Sequence, residues 1–225
     1  MEITALKLYH FPGSRSARVR WALLESWGDD FELVTMQLLQ GEQYAPEFLA
    51  LNPNHAVPLL EITWADGRTQ RMIESTAMVE WLADAFPDRG LAPPPGFTTE
   101  RANYLQMVQF AGNWMDAMLW QVRMHRDLLP EGEADPRSAQ RALDKLETEV
   151  RPQLLARFDA APFACGDTFT AADILVGHNV SWARSYGLFQ DGAFANYLRR
   201  LAERPAFGRA FDDVQRPQQS ETSDA

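Results

Sequence analysis

The stretch FPGSRSARVR, residues 11–20, places Gly13 and Ser14 where a short turn gives way to a helical pattern. The first amides of a helix lack partners within it and the dipole is positive at that end, so an anion is favoured there. A serine hydroxyl in that position can donate a hydrogen bond to a thiolate. IESTA, residues 73–77, repeats the arrangement: Ser75 can grip a carboxylate through its amide and hydroxyl while Glu74 takes an ammonium group. Between the two, LNPNHAVPLLEI (51–62) puts Pro58 at the entrance to an apolar strand. A cis Val57–Pro58 bond would turn the chain sharply before that strand and leave the amide and carbonyl of Val57 free to pair with the backbone of a ligand. Together these groups suit a zwitterionic peptide whose sulfur must be deprotonated.

Four segments rich in aliphatic or β-branched residues predict strands: ALKLY (5–9), FELVT (31–35), PLLEI (58–62) and TQRMI (69–73). SARVRWALLES (16–26) and STAMVEWLADAF (75–86) carry apolar residues at helical spacing, and Ser75 is the expected N-cap of the second. The first 87 residues therefore read as β-α-β-short α-β-β-α, a small mixed sheet. ADG at 65–67 suits a tight turn between the last two strands, whereas helical crossovers between the earlier ones predict parallel pairing.

PDRGLAPPPG (87–96) breaks every periodicity and has the stiffness of an interdomain linker. The expected organisation is an α/β domain over 1–87, a linker over 88–97, an all-helical domain over 98–216 and a flexible tail over 217–225. Tyr104, Val108, Ala111, Met115, Met118 and Val122 predict one face of a single long helix, with 136–158 antiparallel to it. Met107, Phe110 and Trp114, with Ala117, form a second stripe. It could line a cleft for an apolar electrophile, or serve only as core or dimer packing. Thr170 and Asp173 form a T-x-x-D capping box ahead of a late helix.

A net charge of -10 argues against extended contact with nucleic acid or anionic lipid, both of which require surplus basic residues. No apolar run approaches the roughly 20 residues of a membrane span. Cys165 is the single cysteine and the start of the chain lacks a basic-then-apolar leader, so a cytoplasmic protein is expected. The four histidines, His10, His55, His125 and His178, are too dispersed to predict a metal site, and neither a G-x-S-x-G elbow nor a phosphate-binding G-x-x-x-x-G-K loop is present. Taken singly, each candidate has a plainer explanation: Ser14 as a helix cap, Glu74 and Ser75 as helix-start residues, Pro58 as a trans proline entering a strand, His55 as a loop residue.

The P-G-S turn after the first strand, GEQYAPEFLALNPNHAVP ahead of the third, ESTA after the fourth, the linker and FTAADI near a late helix start resemble, in order and over almost the whole chain, the cytosolic glutathione transferases. The likeness is to bacterial-type, serine-class members of the delta and theta-like groups. It implies a thioredoxin-like N-terminal domain plus an all-α C-terminal domain, a homodimer, glutathione as co-substrate and no metal. It makes Ser14 the donor to the glutathione sulfur, pairs Val57, ahead of a cis Pro58, with the cysteinyl backbone, gives the γ-glutamyl end to Glu74 and Ser75, and brings His55 to the glycyl carboxylate. Gln43 stands where that group often has a second histidine, and Thr76 where arginine is common. Arg15, Ser16 and Tyr9 remain alternative positions for the thiol-activating group. The implied chemistry is attack of the glutathione thiolate on a small apolar electrophile, with peroxidase or isomerase side reactions. The alternative is a protein-interaction module that has kept the fold and lost turnover.

Overall fold

Leu6, Leu8 and His10 alternate with Lys7 and Tyr9, and the period of two in a strand turns the first set to one face and the second to the other. In the computed structural model, which describes residues 2–213, β1 spans Ile3–His10 with Leu6, Leu8 and His10 fully buried. Helix α1 (Ser16–Ser26) follows, then β2 (Glu32–Thr35), which pairs parallel to β1 as expected for a strand reached by a helical crossover. Two short 3₁₀ turns and the four-residue helix α2 (Pro46–Leu49) lead to β3 (Leu59–Trp64). β4 (Thr69–Met72) pairs antiparallel to β3 across the turn at 65–67, where Gly67 has a φ of 83°. The sheet order is β2-β1-β3-β4.

The parallel pairing expected for β3 is corrected by the register, in which Tyr9 faces Leu59 and Leu6 faces Ile62 in an antiparallel ladder. A parallel strand needs a crossover of a dozen or more residues carrying the chain back over the sheet. The connection over 36–58 is long enough, but it holds only two 3₁₀ turns and the four-residue α2 and does not return the chain over the sheet, so β3 sets out from the end at which β2 finished. A second correction concerns α3 (Ser75–Ala85): Glu74, with a φ of 72°, accepts the Met78 amide at 3.0 Å, so Glu74 occupies the capping position and Ser75 is the first helical residue.

By their internal contacts the described residues fall into two units: those up to Met78 together with those from Arg204, and Val79–Glu203. The expected linker at 88–97 lies inside the second unit, held by the Leu91 carbonyl accepting the Ala171 amide at 2.7 Å and the Pro93 carbonyl accepting from Arg101 at 3.1 Å. Residues 204–213, expected within the helical domain, group with the sheet. The expected tail at 217–225, and residues 214–216 of the expected helical domain, lie outside the described residues.

In the helical unit, α4 (Thr99–Gln109) runs through a π-helical stretch, Phe110–Met115, into α5 (Asp116–Arg123) and a further π-helical stretch, Met124–Leu128. This is the long helix that the apolar spacing predicts. Tyr104, Val108, Ala111, Met115 and Val122 are buried as expected, but Leu119 takes the inward place expected of Met118. Met115, Leu119 and Val122 follow the i, i+4, i+7 spacing of one α-helical face, which takes the four-residue step before the three-residue one. α6 (Pro136–Lys145), a π-helical Leu146–Val150 and α7 (Arg151–Ala160) return antiparallel, with Lys145 beside Trp114 near one end and Arg157 bonded to Asn103 near the other. α8 (Ala171–Ser185) is the unit's central helix, followed by α9 (Gly192–Ala202), while α10 (Pro205–Ala210) belongs to the sheet unit.

The capping box at Thr170 and Asp173 is present, and it does more than cap α8. The fully buried Asp173 carboxylate accepts from the Thr170 amide at 2.9 Å, the Ala164 amide at 2.8 Å and the Tyr197 hydroxyl at 2.9 Å, tying the preceding loop and α9 to the helix start. Asp173→Ala leaves three buried donors without an acceptor and is expected to lower unfolding stability by at least about 3 kcal/mol in denaturant titration. A loss below about 1 kcal/mol would refute this account of the junction.

Candidate functional site

The strand registers gather the three segments singled out from the sequence. Tyr9 faces Leu59 and Leu60 faces Met72, so residues after His10, residues before Leu59 and residues after Met72 leave the sheet at one end. The turn at 11–15, the loop at 52–58 and the start of α3 therefore share that end, and all belong to the same unit.

In the first segment, Gly13 has a φ of 70°, a conformation that side chains disfavour, and the turn delivers half-buried Ser14 just before α1. Ser14 Oγ lies 2.7 Å from both the Phe11 carbonyl and Ser16 Oγ, and accepts the Ser16 amide at 3.2 Å. Ser16 is fully buried; its Oγ accepts the Phe11 amide at 3.0 Å and lies 2.7 Å from His10 Nδ1. His10 Nε2 lies 2.8 Å from the Asp213 carboxylate, which Arg20 holds at 2.7 Å. Burial keeps the His10 imidazole below its ordinary pKa against the opposing pull of Asp213, so the ring is neutral near neutral pH. Sequence reading considered Ser14 and Ser16 as alternatives and passed over His10, Arg20 and Asp213. His10 was detectable as the polar residue in the Leu6, Leu8 alternation, but Asp213 is about 200 residues away in the chain and gave no signal.

In the second segment the Val57–Pro58 bond is cis, as the sequence suggested. Among the described residues, neither the amide nor the carbonyl of Val57 has a hydrogen-bond partner. The loop is built by Asn52, which sequence reading missed: buried, it donates to the Ala56 carbonyl at 2.7 Å and accepts the Asn54 amide at 3.0 Å. His55 is exposed, with a φ of 44°, and its ring packs 5.1 Å from that of Tyr44. In the third segment Glu74 is exposed and Ser75 buried. Ser75 Oγ accepts from the fully buried guanidinium of Arg18 at 3.4 Å. Arg18 thus adds a positive charge beneath a helix start that already favours anions.

The remaining candidates are elsewhere. The Tyr9 hydroxyl donates to Glu61 at 3.2 Å, and burial raises its pKa, so it is engaged on the other face of the sheet from His10. Burial pushes the Cys165 thiol up to about 12, which keeps it protonated. Of the second stripe on the long helix, Met107 is 1% exposed and packs into the core of the helical unit, whereas Phe110 and the 42% exposed Trp114 line an open groove with Thr148, Pro152 and Gln153.

Comparison with known proteins gives a consistent picture. The family profile described as "Glutathione S-transferase, N-terminal domain" matches residues 8–90. Glutathione S-transferase GstA of Escherichia coli O157:H7 is 26% identical over 204 residues, covering 89% of this chain and 94% of its own. A maleylacetoacetate isomerase of Rhizobium meliloti strain 1021 is 30% identical over 212 residues, covering 92% and 96%. Among solved structures, a sphingomonad glutathione S-transferase complexed with glutathione superposes with a TM-score of 0.75 at 26% identity, covering 92% of this chain and 98% of that one.

The His10 environment has a measurable consequence. A histidine held below its ordinary 6.5 on folding is protonated more readily in the unfolded chain, so its contribution to stability is complete above that pH and is lost as pH falls through it. Comparison with His10→Gln cancels the other titrating groups. The stability difference between the two proteins, read from urea unfolding, is expected to be largest above pH 6.5 and to shrink below it by up to about 1.4 kcal/mol per pH unit. A difference that is flat across that range would refute the assignment.

Proposed function

The chain belongs to the glutathione S-transferase family, and from that premise we propose that its sheet unit binds glutathione at the shared loop end and activates the thiol as a thiolate. The observation that carries the reading is the convergence of three sets of groups at one sheet end: the half-buried Ser14 hydroxyl at a helix start, the main chain of Val57, unpaired among the described residues, and Glu74 with Ser75 over Arg18. Glutathione is a peptide with an α-amino and carboxylate terminus, a central thiol and a second carboxylate. Val57 pairs with its cysteinyl backbone beside Pro58, Glu74 and Ser75 hold the γ-glutamyl end, and His55 reaches the glycyl carboxylate. The glutathione-bound sphingomonad structure supports the ligand.

Ser14 acts as a donor to the sulfur and not as a nucleophile. A hydroxyl with helix-start amides can stabilise the thiolate over the thiol by about 2.7 kcal/mol, enough to make it the majority form at neutral pH. The thiolate then attacks an electrophilic carbon or heteroatom of a small apolar substrate; of the stripe considered for it, Phe110 and Trp114 remain candidates and Met107, buried in the core of the helical unit, does not. Likeness to a maleylacetoacetate isomerase supports a second use of the same thiolate, reversible addition to an unsaturated carbon followed by elimination. We place the chain among the serine-type, delta- and theta-like members of the family. A homodimer and a cytoplasmic location belong to the same reading. An interaction module without turnover is the weaker alternative, since likeness to a glutathione S-transferase and to a maleylacetoacetate isomerase over most of the chain supports turnover.

Ser14→Ala is expected to raise the pKa of bound glutathione, followed by the thiolate's ultraviolet absorbance, and to lower kcat/KM with a generic aryl halide by about a hundredfold. Retention on immobilised glutathione should persist in that variant and weaken in Glu74→Ala. A thiol titration unchanged by Ser14→Ala would reject the role of Ser14, and wild-type protein that neither binds glutathione nor turns over would reject the reading as a whole.

A further inference from the structure

Activation of a thiol produces a proton as well as a thiolate, and the network behind Ser14 offers that proton a destination. The geometry points to His10 as the store for the proton of the glutathione thiol, reached through Ser14 and Ser16, an inference that rests on the reading of Ser14 as the group that meets the sulfur.

The direction of the hydrogen bonds follows from valence. The Asp213 carboxylate can only accept, so His10 Nε2 carries the ring hydrogen and, in the neutral ring, Nδ1 is an acceptor. Ser16, 2.7 Å from Nδ1, must then donate to it. With its own hydrogen used, Ser16 Oγ accepts the Phe11 amide. The Ser14 hydroxyl has two acceptors at 2.7 Å, the Phe11 carbonyl and Ser16 Oγ, and the wire is continuous in the rotamer that donates to Ser16. Ser14 Oγ accepts the Ser16 amide and keeps one lone pair, the single open position in the wire and the only one on a side chain that is not fully buried.

A thiol S–H directed at that lone pair completes a continuous path. Its proton passes to Ser14 Oγ, that of Ser14 to Ser16 Oγ, and that of Ser16 to His10 Nδ1. The S–H electron pair stays on sulfur, each serine ends with one hydrogen as it began, and the products are a thiolate and an imidazolium. All the bonds of the wire then reverse: Nδ1–H donates to Ser16, Ser16 to Ser14, and Ser14 to the thiolate. The charged groups that face His10 among the described residues are Asp213 and Asp212, which favour the imidazolium, and Arg20, which opposes it. At rest burial keeps the ring neutral, and burial opposes the imidazolium; the new negative charge of the thiolate at the far end of the wire, added to Asp213 and Asp212, is what offsets it. His10 is therefore a positioning residue that also determines where the proton goes.

The test is the number of protons released when glutathione binds, measured by titration calorimetry near neutral pH in two buffers of different ionisation heat, with thiolate formation followed by its absorbance. Wild-type protein is expected to form thiolate while releasing far less than one proton for each thiolate formed. Release of about one proton per thiolate would overturn the proposal and leave the thiolate reading of Ser14 intact. Absence of binding or of the thiolate signal would overturn that reading, and this proposal with it. In His10→Gln, which offers no proton store, release per thiolate should rise to about one. Asp213→Asn, at a half-buried position, should raise it part of the way, and no rise in either folded variant would also overturn the proposal.

Discussion

A histidine shut off from water must have both ring nitrogens matched, and in this protein that constraint organises the loop end of the sheet. His10 occupies the slot that the alternation of Leu6 and Leu8 assigns to the interior. Leaving one buried ring nitrogen unpaired would cost about 1–3 kcal/mol. One nitrogen is met by Ser16, which obliges the turn at 11–15 to fold back over the strand end and so sets the position of Ser14. The other is met by Asp213, from the last described residues. That carboxylate is supplied only because α10 docks on α1, through Phe207 edge-on to Trp21 at 5.0 Å and the paired bonds of Arg204 to Glu25 at 2.7 Å. Apolar packing between two helices thus fixes the partner of a histidine which in turn fixes the geometry of two hydroxyls.

The helical unit meets a similar demand differently. Its long helix contains a π-helical stretch at Phe110–Met115, and Asn179, fully buried on α8, donates to the Ala111 carbonyl within it at 2.7 Å. Asp173 satisfies main-chain amides of the loop before α8 that regular helical bonding does not reach, whereas Asn179 gives a second donor to a carbonyl that already accepts the Asp116 amide. The energetics favour these sites for fold specificity: the cost of misplacing α8 by a turn would be several unpaired polar groups, a sharper penalty than any rearrangement of aliphatic side chains.

Much of this was legible in the sequence because it is local. The α1 pattern, the turn at Gly67, the capping box at Thr170 and the proline ahead of β3 each depend on a handful of adjacent residues, and their chemistry is visible in one line of text. The β3 direction was not, because it depends on the path of the connection over 36–58, whose length alone permits either pairing. The inward turn of Leu119 in place of Met118 was not legible either, because apolar residues at both positions fit a helical face and the pattern alone does not choose between them. The Ser14 surroundings were half legible: the helix-start serine and Pro58 could be read, but Asp213 and Arg18 act across the fold, and a pairing between residues 10 and 213 has no trace in local composition. Asn52 was hidden for a different reason, since an asparagine in an N-P-N loop is ordinary until its burial is seen.

The protein carries a net charge of -10, yet the proposed ligand is anionic, and the contradiction resolves on length scale. Charges on the outer surface are screened over about 8 Å at physiological salt, whereas partly buried charges are screened much less. At the shared loop end the nearby positive features are of the second kind: the fully buried Arg18 guanidinium at the Ser75 hydroxyl, the amides at the starts of α1 and α3, and Arg20, largely enclosed, against Asp213. Glu74 is the counterpart, an exposed carboxylate suited to an ammonium group on the same ligand. An acidic exterior therefore sets solubility and repels polyanions, while a few enclosed donors set what the site accepts. A small zwitterion satisfies both because it presents opposite charges a few ångströms apart and carries little net charge into the far field.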